Sequence, residues 1–478
     1  MMNHVPWSAR PWRRVAVYGL GISGRAALHL LRRHDVQVVA FDDRPAAAIA
    51  LEEISEDPGI ELRVGADVDR LDDLETLDGV VTSPGVPPER PLLAAARQRG
   101  LPIIAEVELA FSLLDGEVVG ITGSNGKSTT TALAGAMLEA AGRQVEVCGN
   151  IGEALSSRVE IDGSPAATGR DATVGERVFV VELSSFQLEA VDHFRPESAA
   201  LLNISPDHLD RHHDLDSYLS VKAAIFARQC RDDLAVLNAD DARVAGLDVA
   251  AHRRFFSSQQ KVADGCYLEG ERVLEVSPTS APRPLFVRSD VPLPGPHNLE
   301  NAMAAALLAR AHGAEPDHIV AGMRDFRGLP HRLERVRVRH GVTWYDDSKG
   351  TNIAATARSL EGFDDGTVVI ILGGRFKGGD LAQLRSLLSR KARRIYLIGE
   401  AAPVFAEALS PDVEFEHTGT LEQAVERAAS EAQPGEVVLL SPACSSFDQF
   451  DNFAQRGRVF QRLVKGLEGG ERGAQASL

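Results

Sequence analysis

Short runs of apolar residues recur along the chain, and a turn rich in glycine and polar residues follows most of them. The runs with the pattern of a buried strand lie at 14–18, 36–41, 79–83, 117–119, 178–182, 199–204, 368–372, 395–398 and 437–440. Segments of helical composition, such as 131–141 and 295–311, lie between them. Strands that alternate with helices predict an α/β fold with parallel sheets.

A first glycine-rich turn, Gly19-Leu-Gly-Ile-Ser-Gly24, follows the first strand, and Asp42 ends the next one. A GxGxxG turn with an acidic residue about 20 positions later is typical of dinucleotide binding. By itself this motif is consistent with an NAD-dependent oxidoreductase in which Asp42 contacts a ribose, and a different nucleotide is an equally open hypothesis. Ser83-Pro84-Gly85 ends another strand, at the kind of position where α/β sheets bind ligands.

A second glycine-rich turn, Gly120-Ile-Thr-Gly-Ser-Asn-Gly-Lys-Ser-Thr-Thr130, lies between a strand and a helix. Such a loop binds phosphates: its N–H groups turn inward, Lys127 supplies a positive charge, and the Ser128 hydroxyl can ligate Mg²⁺. Ile121 stands where the general pattern has its first glycine. The alternatives are a glycine turn without a ligand and a nucleotide switch that does not catalyse a reaction.

Downstream of this loop lie candidate metal ligands. Glu182 ends a buried strand, where it could either cap a helix or bind a metal ion. The His- and Asp-rich segment 207–214 could suggest zinc, but it lacks a clear tetrahedral spacing. Lys222 lies on a predicted amphipathic helix, 218–228, whose solvated face is an alternative place for it.

Net charge and cysteine content exclude several classes of protein. The formal net charge of −17 argues against a broad basic surface for nucleic acid or an anionic membrane. The four cysteines form no Cys-x-x-Cys pair, so a disulfide framework or a zinc ribbon is not supported. No apolar run approaches membrane-spanning length. We expect a cytoplasmic monomer with small-molecule partners, bound to neither nucleic acid nor membrane.

The 478 residues are enough for about three domains. We predict an N-terminal Rossmann-like domain, a central α/β domain of the P-loop ATPase type and a C-terminal Rossmann-like α/β domain, at residues 1–105, 106–328 and 329–478. Linkers are predicted near 103–106 and 326–332. We also predict a loose leader (1–12), a polar surface excursion without a catalytic role (156–177) and a disordered tail after 468.

Taken in order, several segments together resemble the Mur ligases over about residues 14–466. They are Thr122-Gly-Ser-Asn-Gly-Lys-Ser128, Gly149-Asn-Ile-Gly152, Glu182-Leu-Ser-Ser-Phe-Gln187, Asp207-His-Leu-Asp210, Gly328-Leu-Pro-His-Arg332, Asp347-Ser-Lys-Gly-Thr-Asn352 and Ser441-Pro-Ala-Cys444. The resemblance implies ATP-driven amide formation through an acyl phosphate. The third and last segments favour the members that add D-glutamate to UDP-N-acetylmuramoyl-L-alanine. The alternative is another Mur ligase, or a relative of folylpolyglutamate synthase, that adds a different amino acid.

The resemblance also implies a role for each matching residue. ATP would be bound by Gly123, Ser124, Asn125, Gly126, Lys127, Ser128, Thr129, Asn298, Asn301, His331, Arg332 and Asp347. The first domain would hold the UDP-substrate through Gly21, Ile22, Ser23, Asp42, Arg44, Ser83, Pro84 and Gly85, with Asn150 on the substrate side. D-Glutamate would be received by Lys349, Thr351, Lys377, Ser446 and Phe453.

Two Mg²⁺ ions and the catalytic groups complete what the resemblance implies. The metal ligands would be Ser128, Glu182, His208 and Lys222, the last as a carbamate. Lys127, His208 and Lys222 would be the catalytic residues. Arg375-Phe376 stands where some relatives have Asp-Gly, which leaves the surroundings of Lys377 less defined.

Overall fold

The computed structural model describes residues 12–46, 49, 54–68, 74–160, 177–326, 328–379, 381–409 and 413–468. Their strands form three sheets flanked by helices, which confirms the predicted α/β class. The described residues up to Asp290, together with Glu300–Asp325, form one compact unit. Val291–Leu299 and the described residues from Phe326 onward form a second unit.

The first sheet is parallel, with five strands in the order β3-β2-β1-β4-β5. Its elements are β1 Arg14–Tyr18, α1 Ile22–Arg33, β2 Gln37–Asp42, β3 Ile60–Val64, β4 Gly79–Thr82, α2 Pro91–Gln98 and β5 Ile103–Ala105. Because the strands are parallel, the turns after β1, β2 and β4 meet at one edge. The sheet therefore brings the first glycine turn, the Asp42 turn and Ser83 together.

The second sheet has nine strands in the order β14-β13-β12-β11-β10-β9-β6-β8-β7, and only the β12–β13 and β13–β14 pairs are antiparallel. Its strands are β6 Glu117–Thr122, β7 Gln144–Gly149, β8 Arg177–Glu182, β9 Ser198–Leu201, β10 Leu234–Asn238, β11 His252–Ser257, β12 Gly265–Glu269, β13 Arg272–Ser277 and β14 Ser280–Val287. The helices are α3 Glu106–Phe111, α4 Lys127–Ala140, α5 Ser185–Leu188, α6 Leu209–His212, α7 Leu215–Ala223, α8 Ala242–Ala245, α9 Pro296–Ala311 and α10 Pro316–Asp325. Strand β6 carries the phosphate loop and lies between β8 and β9.

The third sheet has six strands in the order β15-β16-β20-β17-β18-β19, and all neighbours except β15 and β16 are parallel. Its elements are β15 Glu334–Arg339, β16 Val342–Asp346, α11 Ile353–Glu361, β17 Val368–Gly373, α12 Leu381–Lys391, β18 Ala392–Ile398, α13 Ala402–Leu409, β19 Phe415–Gly419, α14 Leu421–Glu431, β20 Val437–Leu440 and α15 Phe453–Gly466. The polar clusters after β16, β17 and β20 consequently share one edge of the sheet.

One local prediction is wrong, and two others are wrong at the end that the structure describes. The expected linker at 103–106 is instead the edge strand β5 and the start of α3, and it pairs with β4. The expected surface excursion begins with a buried residue, since Ser156 is completely inaccessible and donates its backbone N–H to Glu106. The predicted leader ends on Trp12, which is buried and packs over Gly79.

The rest of the excursion (161–176), the rest of the leader (1–11) and the tail from 469 lie outside the described residues. Within the described chain, no helix combines the length and the apolar character needed to cross a bilayer.

Candidate active site

The phosphate loop joins β6 to α4 and is held open by two glycines with positive φ. Gly123 has a φ of +155° and Gly126 a φ of +85°, and a Cβ on Gly126 would lie 2.2 Å from Asn301 Oδ1. The Lys127 ammonium donates to the carbonyls of Gly123 and Ser124, at 2.9 and 3.0 Å. The N-terminus of α4, its first-turn N–H groups and this lysine together form a site for an anion.

The loop is fixed from a neighbouring strand by a residue that the sequence analysis did not select. Asn203, after β9, accepts a hydrogen bond from the N–H of Asn125 and donates one to its carbonyl. Ser124 makes reciprocal bonds to the backbone of Ser205. These contacts hold the loop in place without a ligand, so less conformational entropy is lost when phosphates bind.

Glu182, at the end of β8, has two carboxylate oxygens in different surroundings. Its Oε1 accepts a hydrogen bond from Asn150 Nδ2 at 2.9 Å. Its Oε2 is buried and has no hydrogen-bond partner among the residues that the structure describes. A buried carboxylate oxygen without a donor is costly unless a cation or a ligand neutralises it. Ser128, another predicted metal ligand, lies on α4 and is also buried.

Lys222, on α7, is buried rather than solvated, so the alternative of a solvated lysine is wrong. The residue is 1% exposed, and its Nζ lies 3.4 Å from Thr122 Oγ1 and 4.7 Å from the centre of the Tyr218 ring. Burial and the neighbouring Lys127 cation lower the pKa of Lys222 to about 6, against a raising effect of Asp207 and Glu182. This amine is therefore mostly neutral at physiological pH.

His208 has a strained backbone, with a φ of +52°, and its side chain is half exposed. Its ring lies 4.8 Å from that of Phe186, which also stacks on His212 at 5.7 Å. A non-glycine residue with positive φ is more frequent at functional sites than elsewhere.

In the described chain, the segment 207–214 forms no group of three metal-ligating side chains, so the zinc hypothesis gains no support.

In the first sheet, the Asp42 carboxylate accepts hydrogen bonds from other residues of the protein. Its carboxylate accepts from the N–H of Leu20 and from both the backbone and the guanidinium of Arg44, at 2.7 to 2.9 Å. Burial acts to raise the pKa of Asp42, but the hydrogen bonds and charge of Arg44 outweigh it and hold the pKa below its usual value. Ser83 Oγ donates to the carbonyl of Gly19. Asp42 and Ser83 thus fix the first glycine turn, which contains Gly21, Ile22 and Ser23.

In the second unit, Asp347 follows β16 and is enclosed. Its Oδ2 accepts from the hydroxyls of Ser441 and Ser359, each at 2.7 Å. Burial raises the pKa of Asp347 to about 6. Asn298, in the same unit, is also buried and donates its side-chain amide to the carbonyl of Pro294.

A buried arginine that the sequence analysis missed connects two loops that carry predicted D-glutamate residues. Arg456, which is 1% exposed, donates to Ser348 Oγ, to the Ser348 carbonyl and to the Cys444 carbonyl, at 2.9 to 3.1 Å. Burial lowers the pKa of Arg456 to about 10. The arginine ties the loop that carries Lys349 and Thr351 to the loop that carries Ser446.

Two further side chains of this group are close to each other. The Lys349 ammonium lies 3.9 Å from the centre of the Phe453 ring, which is a cation–π contact. Phe453 is the first residue of α15, the helix that also carries Arg456. Lys377 follows β17 on the same sheet, with no hydrogen bond to another described residue.

Three family models of Mur ligase domains match successive parts of the chain. Residues 13–105 match the Mur ligase MurD-like N-terminal domain, residues 121–309 the Mur ligase middle domain, and residues 331–444 the Mur ligase glutamate ligase domain. The first of these matches covers the first glycine turn, and the oxidoreductase hypothesis is therefore wrong.

Similar proteins match over nearly their whole length. The chain is 42% identical to the UDP-N-acetylmuramoylalanine–D-glutamate ligase of Acidobacterium capsulatum, over 95% of this chain and 96% of that protein. It is 42% identical to the enzyme of the same name from Anaeromyxobacter dehalogenans, over 94% and 97%. Solved structures share the fold at lower identity. They include MurC of Thermotoga maritima (18% identity, TM-score 0.58, 95% and 99% covered) and MurF of the same organism in complex with ADP (18%, 0.56, 95% and 96%).

Proposed function

The chain belongs to the Mur ligase family, and we propose that it uses ATP to join D-glutamate to UDP-N-acetylmuramoyl-L-alanine, a step of peptidoglycan precursor synthesis. The observation that carries this proposal is the 42% identity, over 95% of the chain, to a relative named for this reaction. The enzyme would act as a monomer in the cytoplasm, where ATP and UDP-linked precursors are present.

The reaction needs activation because a carboxylate is a poor acyl donor. A carboxylate oxygen of the L-alanyl group attacks the γ-phosphorus of ATP, ADP leaves, and an acyl phosphate remains. The neutral amine of D-glutamate then attacks the acyl carbon, the C–O bond breaks, and inorganic phosphate and a proton are released. Two anions meet in the first step, so the Lys127 ammonium and the N-terminus of α4 lower its barrier electrostatically.

The residues around Glu182 fit a divalent cation. The observation that supports this assignment is the buried Oε2 of Glu182, to which no described residue donates a hydrogen bond. Hard oxygen ligands such as this carboxylate and the Ser128 hydroxyl suit Mg²⁺. We propose that Glu182, Ser128 and His208 hold Mg²⁺, with Lys222 contributing as a carbamate and with two ions bound in the active complex. When bound, Mg²⁺ would neutralise charge on the phosphates.

Carbamylation of Lys222 is supported by its surroundings. The reaction with CO₂ needs a neutral amine, because the nitrogen lone pair attacks the carbon and a proton is released. The enclosed position of Lys222 disfavours its charged form, as does the cation of Lys127. The product carries a negative charge, so the same Lys127 that disfavours an ammonium here would favour a carbamate.

The remaining assignments follow the family motifs. The first domain (1–105) would bind the UDP part and the central domain (106–328) the ATP phosphates. Asn298, Asn301, His331, Arg332 and Asp347 would contact the rest of the nucleotide. The C-terminal domain (329–478) would receive D-glutamate through Lys349, Thr351, Lys377, Ser446 and Phe453. The hydrogen bonds of Arg456 support this grouping, because they tie the loops of Lys349 and Ser446 together.

Phosphate release with a panel of amino acids tests the proposal. The protein is incubated with UDP-N-acetylmuramoyl-L-alanine, ATP, Mg²⁺ and one amino acid at a time. We expect release with D-glutamate and background rates with L-glutamate, glycine, L-alanine and diaminopimelate. Release with another amino acid alone would assign the chain to a different ligase. ATP binding with no release in any reaction would indicate a nucleotide switch.

A further inference from the structure

The protein fixes the His331 imidazole in place through burial, an unusual backbone conformation and a hydrogen bond. The residue is 7% exposed, and its backbone has a φ of +63°, in the left-handed region. Its Nδ1 lies 2.6 Å from Oδ2 of Asp346, at the end of β16. Its Nε2 makes no hydrogen bond to any other residue that the structure describes. One ring nitrogen is therefore fixed by the protein, and the other is left for a ligand.

The helix α15 is shaped around this ring. A Cβ at Gly457 would lie 2.1 Å from His331 Nδ1, so glycine is the residue that leaves room for the imidazole there. The Phe453 ring meets the imidazole edge to face, with centroids 6.3 Å apart. These contacts restrict the ring to one orientation.

The hydrogen bonds of Asp346 determine which ring nitrogen carries the proton. The carboxylate is fully buried, and Ser348 N–H donates to its Oδ1 at 2.9 Å. Gln461 Nε2 donates to its Oδ2 at 2.9 Å. Because a carboxylate can only accept, the contact at 2.6 Å requires a proton on Nδ1 of His331. The neutral ring then has an unprotonated Nε2 that accepts hydrogen bonds.

A metal ion is a less suitable explanation of this cluster. Ligand atoms of His331, Glu334 and Asp346 lie within 4.8 Å of one another. The Gln461 amide, however, donates to Glu334 at 2.8 Å as well as to Asp346. Donor hydrogens thus already satisfy both carboxylates, as expected of a hydrogen-bonded network and not of a cation site.

We infer that Asp346 is a positioning residue: it fixes His331 in the Nδ1–H tautomer, so that Nε2 accepts a hydrogen bond from the nucleoside part of ATP. The assignment of the nucleotide to His331 rests on the proposed function. The role of Asp346 rests on the contacts above.

The variant Asp346→Asn breaks this arrangement. His331 and Gln461 both donate to the Oδ2 position and Ser348 N–H donates to Oδ1, so an amide with a single oxygen cannot accept from all three. Where the amide nitrogen takes the Oδ2 position, it faces Nδ1 of His331 as a donor, and the ring proton moves to Nε2. The variant therefore no longer restricts the ring to the Nδ1–H tautomer. A similar replacement in the serine-protease triad lowers kcat about 10⁴-fold through the wrong tautomer.

Nitrogen NMR of protein labelled with ¹⁵N-histidine gives the direct test, at several pH values up to 9.5. The signal of His331 among the 14 histidines is identified by its loss in His331→Gln. We expect Nδ1–H alone in the wild type and a new Nε2–H population in Asp346→Asn. A wild-type ring protonated on Nε2 alone would overturn the inference.

Kinetics test the consequence. Asp346→Asn should raise KM for ATP about 10- to 100-fold, the cost of a mismatched hydrogen bond, while KM for the other substrates changes little. Asp364→Asn, an exposed aspartate of the same unit, is the matched control and should behave as wild type. Gly457→Ala is a second variant, which displaces the ring and leaves Asp346 intact, and it should also raise KM for ATP.

The outcomes separate the inference from the proposed function. An unchanged KM for ATP in both variants, with the expected NMR result, would overturn the contact between Nε2 and the nucleoside. If Asp346→Asn does not fold, Gly457→Ala and the wild-type spectrum still decide. If the wild type ligates no amino acid, the proposed function fails, and calorimetric titration with ATP replaces KM as the readout.

Discussion

Replacement of Lys222 by alanine tests the proposal that this lysine carries a carbamate and helps to hold Mg²⁺. The side chain is buried, with its Nζ 3.4 Å from Thr122 Oγ1 and above the Tyr218 ring. If this lysine carries a carbamate that helps to hold Mg²⁺, its removal deletes an anionic ligand and leaves a space of similar size. Lys222 is not part of the loops of the first sheet that are proposed to bind the UDP-substrate.

The expected magnitude follows from the environment. With a pKa of about 6, the amine is mostly neutral at pH 7.5, whereas a lysine with the ordinary value of 10.5 would be neutral in about one molecule in 10³. The surroundings thus raise the fraction able to react with CO₂ roughly 10³-fold. Loss of a preorganised charge in the reaction centre costs about 10²- to 10³-fold in kcat. We expect Lys222→Ala to lose at least that much.

Chemical rescue separates a lost ligand from a general disturbance. Turnover of Lys222→Ala is measured with increasing formate or acetate, whose carboxylate can occupy the vacated anionic position. We expect partial recovery of about 10-fold or more. Lys222→Arg should show no recovery, because its side chain fills the space and stays cationic. Lys261→Ala, with a side chain that is 72% exposed, serves as the control. Thermal unfolding verifies that each variant is folded.

Full activity of Lys222→Ala, together with no carbamate signal when the wild type is equilibrated with ¹³C-bicarbonate, would refute the reasoning. If Lys222→Ala is folded but inactive, is not rescued, and the wild type shows no carbamate signal, Lys222 contributes through packing and is not a metal ligand. A carbamate signal in the wild type that disappears in Lys222→Ala would support the assignment independently of activity.

Three further variants give simpler outcomes. Lys127→Ala should lower kcat at least about 10²-fold, while calorimetry shows UDP-substrate affinity near that of the wild type; near-normal turnover would remove the phosphate-loop assignment. Glu182→Gln should raise the Mg²⁺ concentration for half-maximal activity at least about 10-fold, and an unchanged Mg²⁺ titration would contradict its role. Burial raises the pKa of Glu106 from 4.5 to about 7, so its contribution to stability is complete below about pH 4.5 and is lost as the pH rises through about 7. Glu106→Gln should therefore gain about 3 kcal/mol of unfolding free energy over wild type between pH 4.5 and 8, measured by urea denaturation. The exposed Glu139→Gln should show no such trend.

Much of the fold was predictable because its signals are local. The glycine turn after β1 and the phosphate loop before α4 are each read from a few consecutive residues. In a parallel sheet, the carboxyl ends of the strands share an edge, so the sequence alone groups the residues after β16, β17 and β20. The α/β class followed from the same alternation.

The errors occur where distant contacts decide the structure. The segment 103–106 has the length of a linker, but pairing with β4 makes it a strand. Ser156 lies in a polar sequence, yet it is buried because its N–H pairs with Glu106, fifty positions earlier.

Some positions carry no local signal at all. Arg456 resembles any other arginine of an amphipathic helix until its hydrogen bonds to Ser348 and Cys444 are known. The amphipathic pattern of 218–228 likewise does not distinguish a solvated from a buried Lys222; the family resemblance assigned this lysine to the metal site, and the fold buries it.

Mass spectrometry of the reaction product tests the central claim most directly. The full chain is incubated with UDP-N-acetylmuramoyl-L-alanine, ATP, Mg²⁺ and an equimolar mixture of amino acids, each labelled with a distinct isotope pattern. The account predicts one new UDP-linked species that carries the label of D-glutamate, formed together with an equal amount of ADP. A product that carries another amino acid, or ADP formation with no new UDP-linked species, would contradict it.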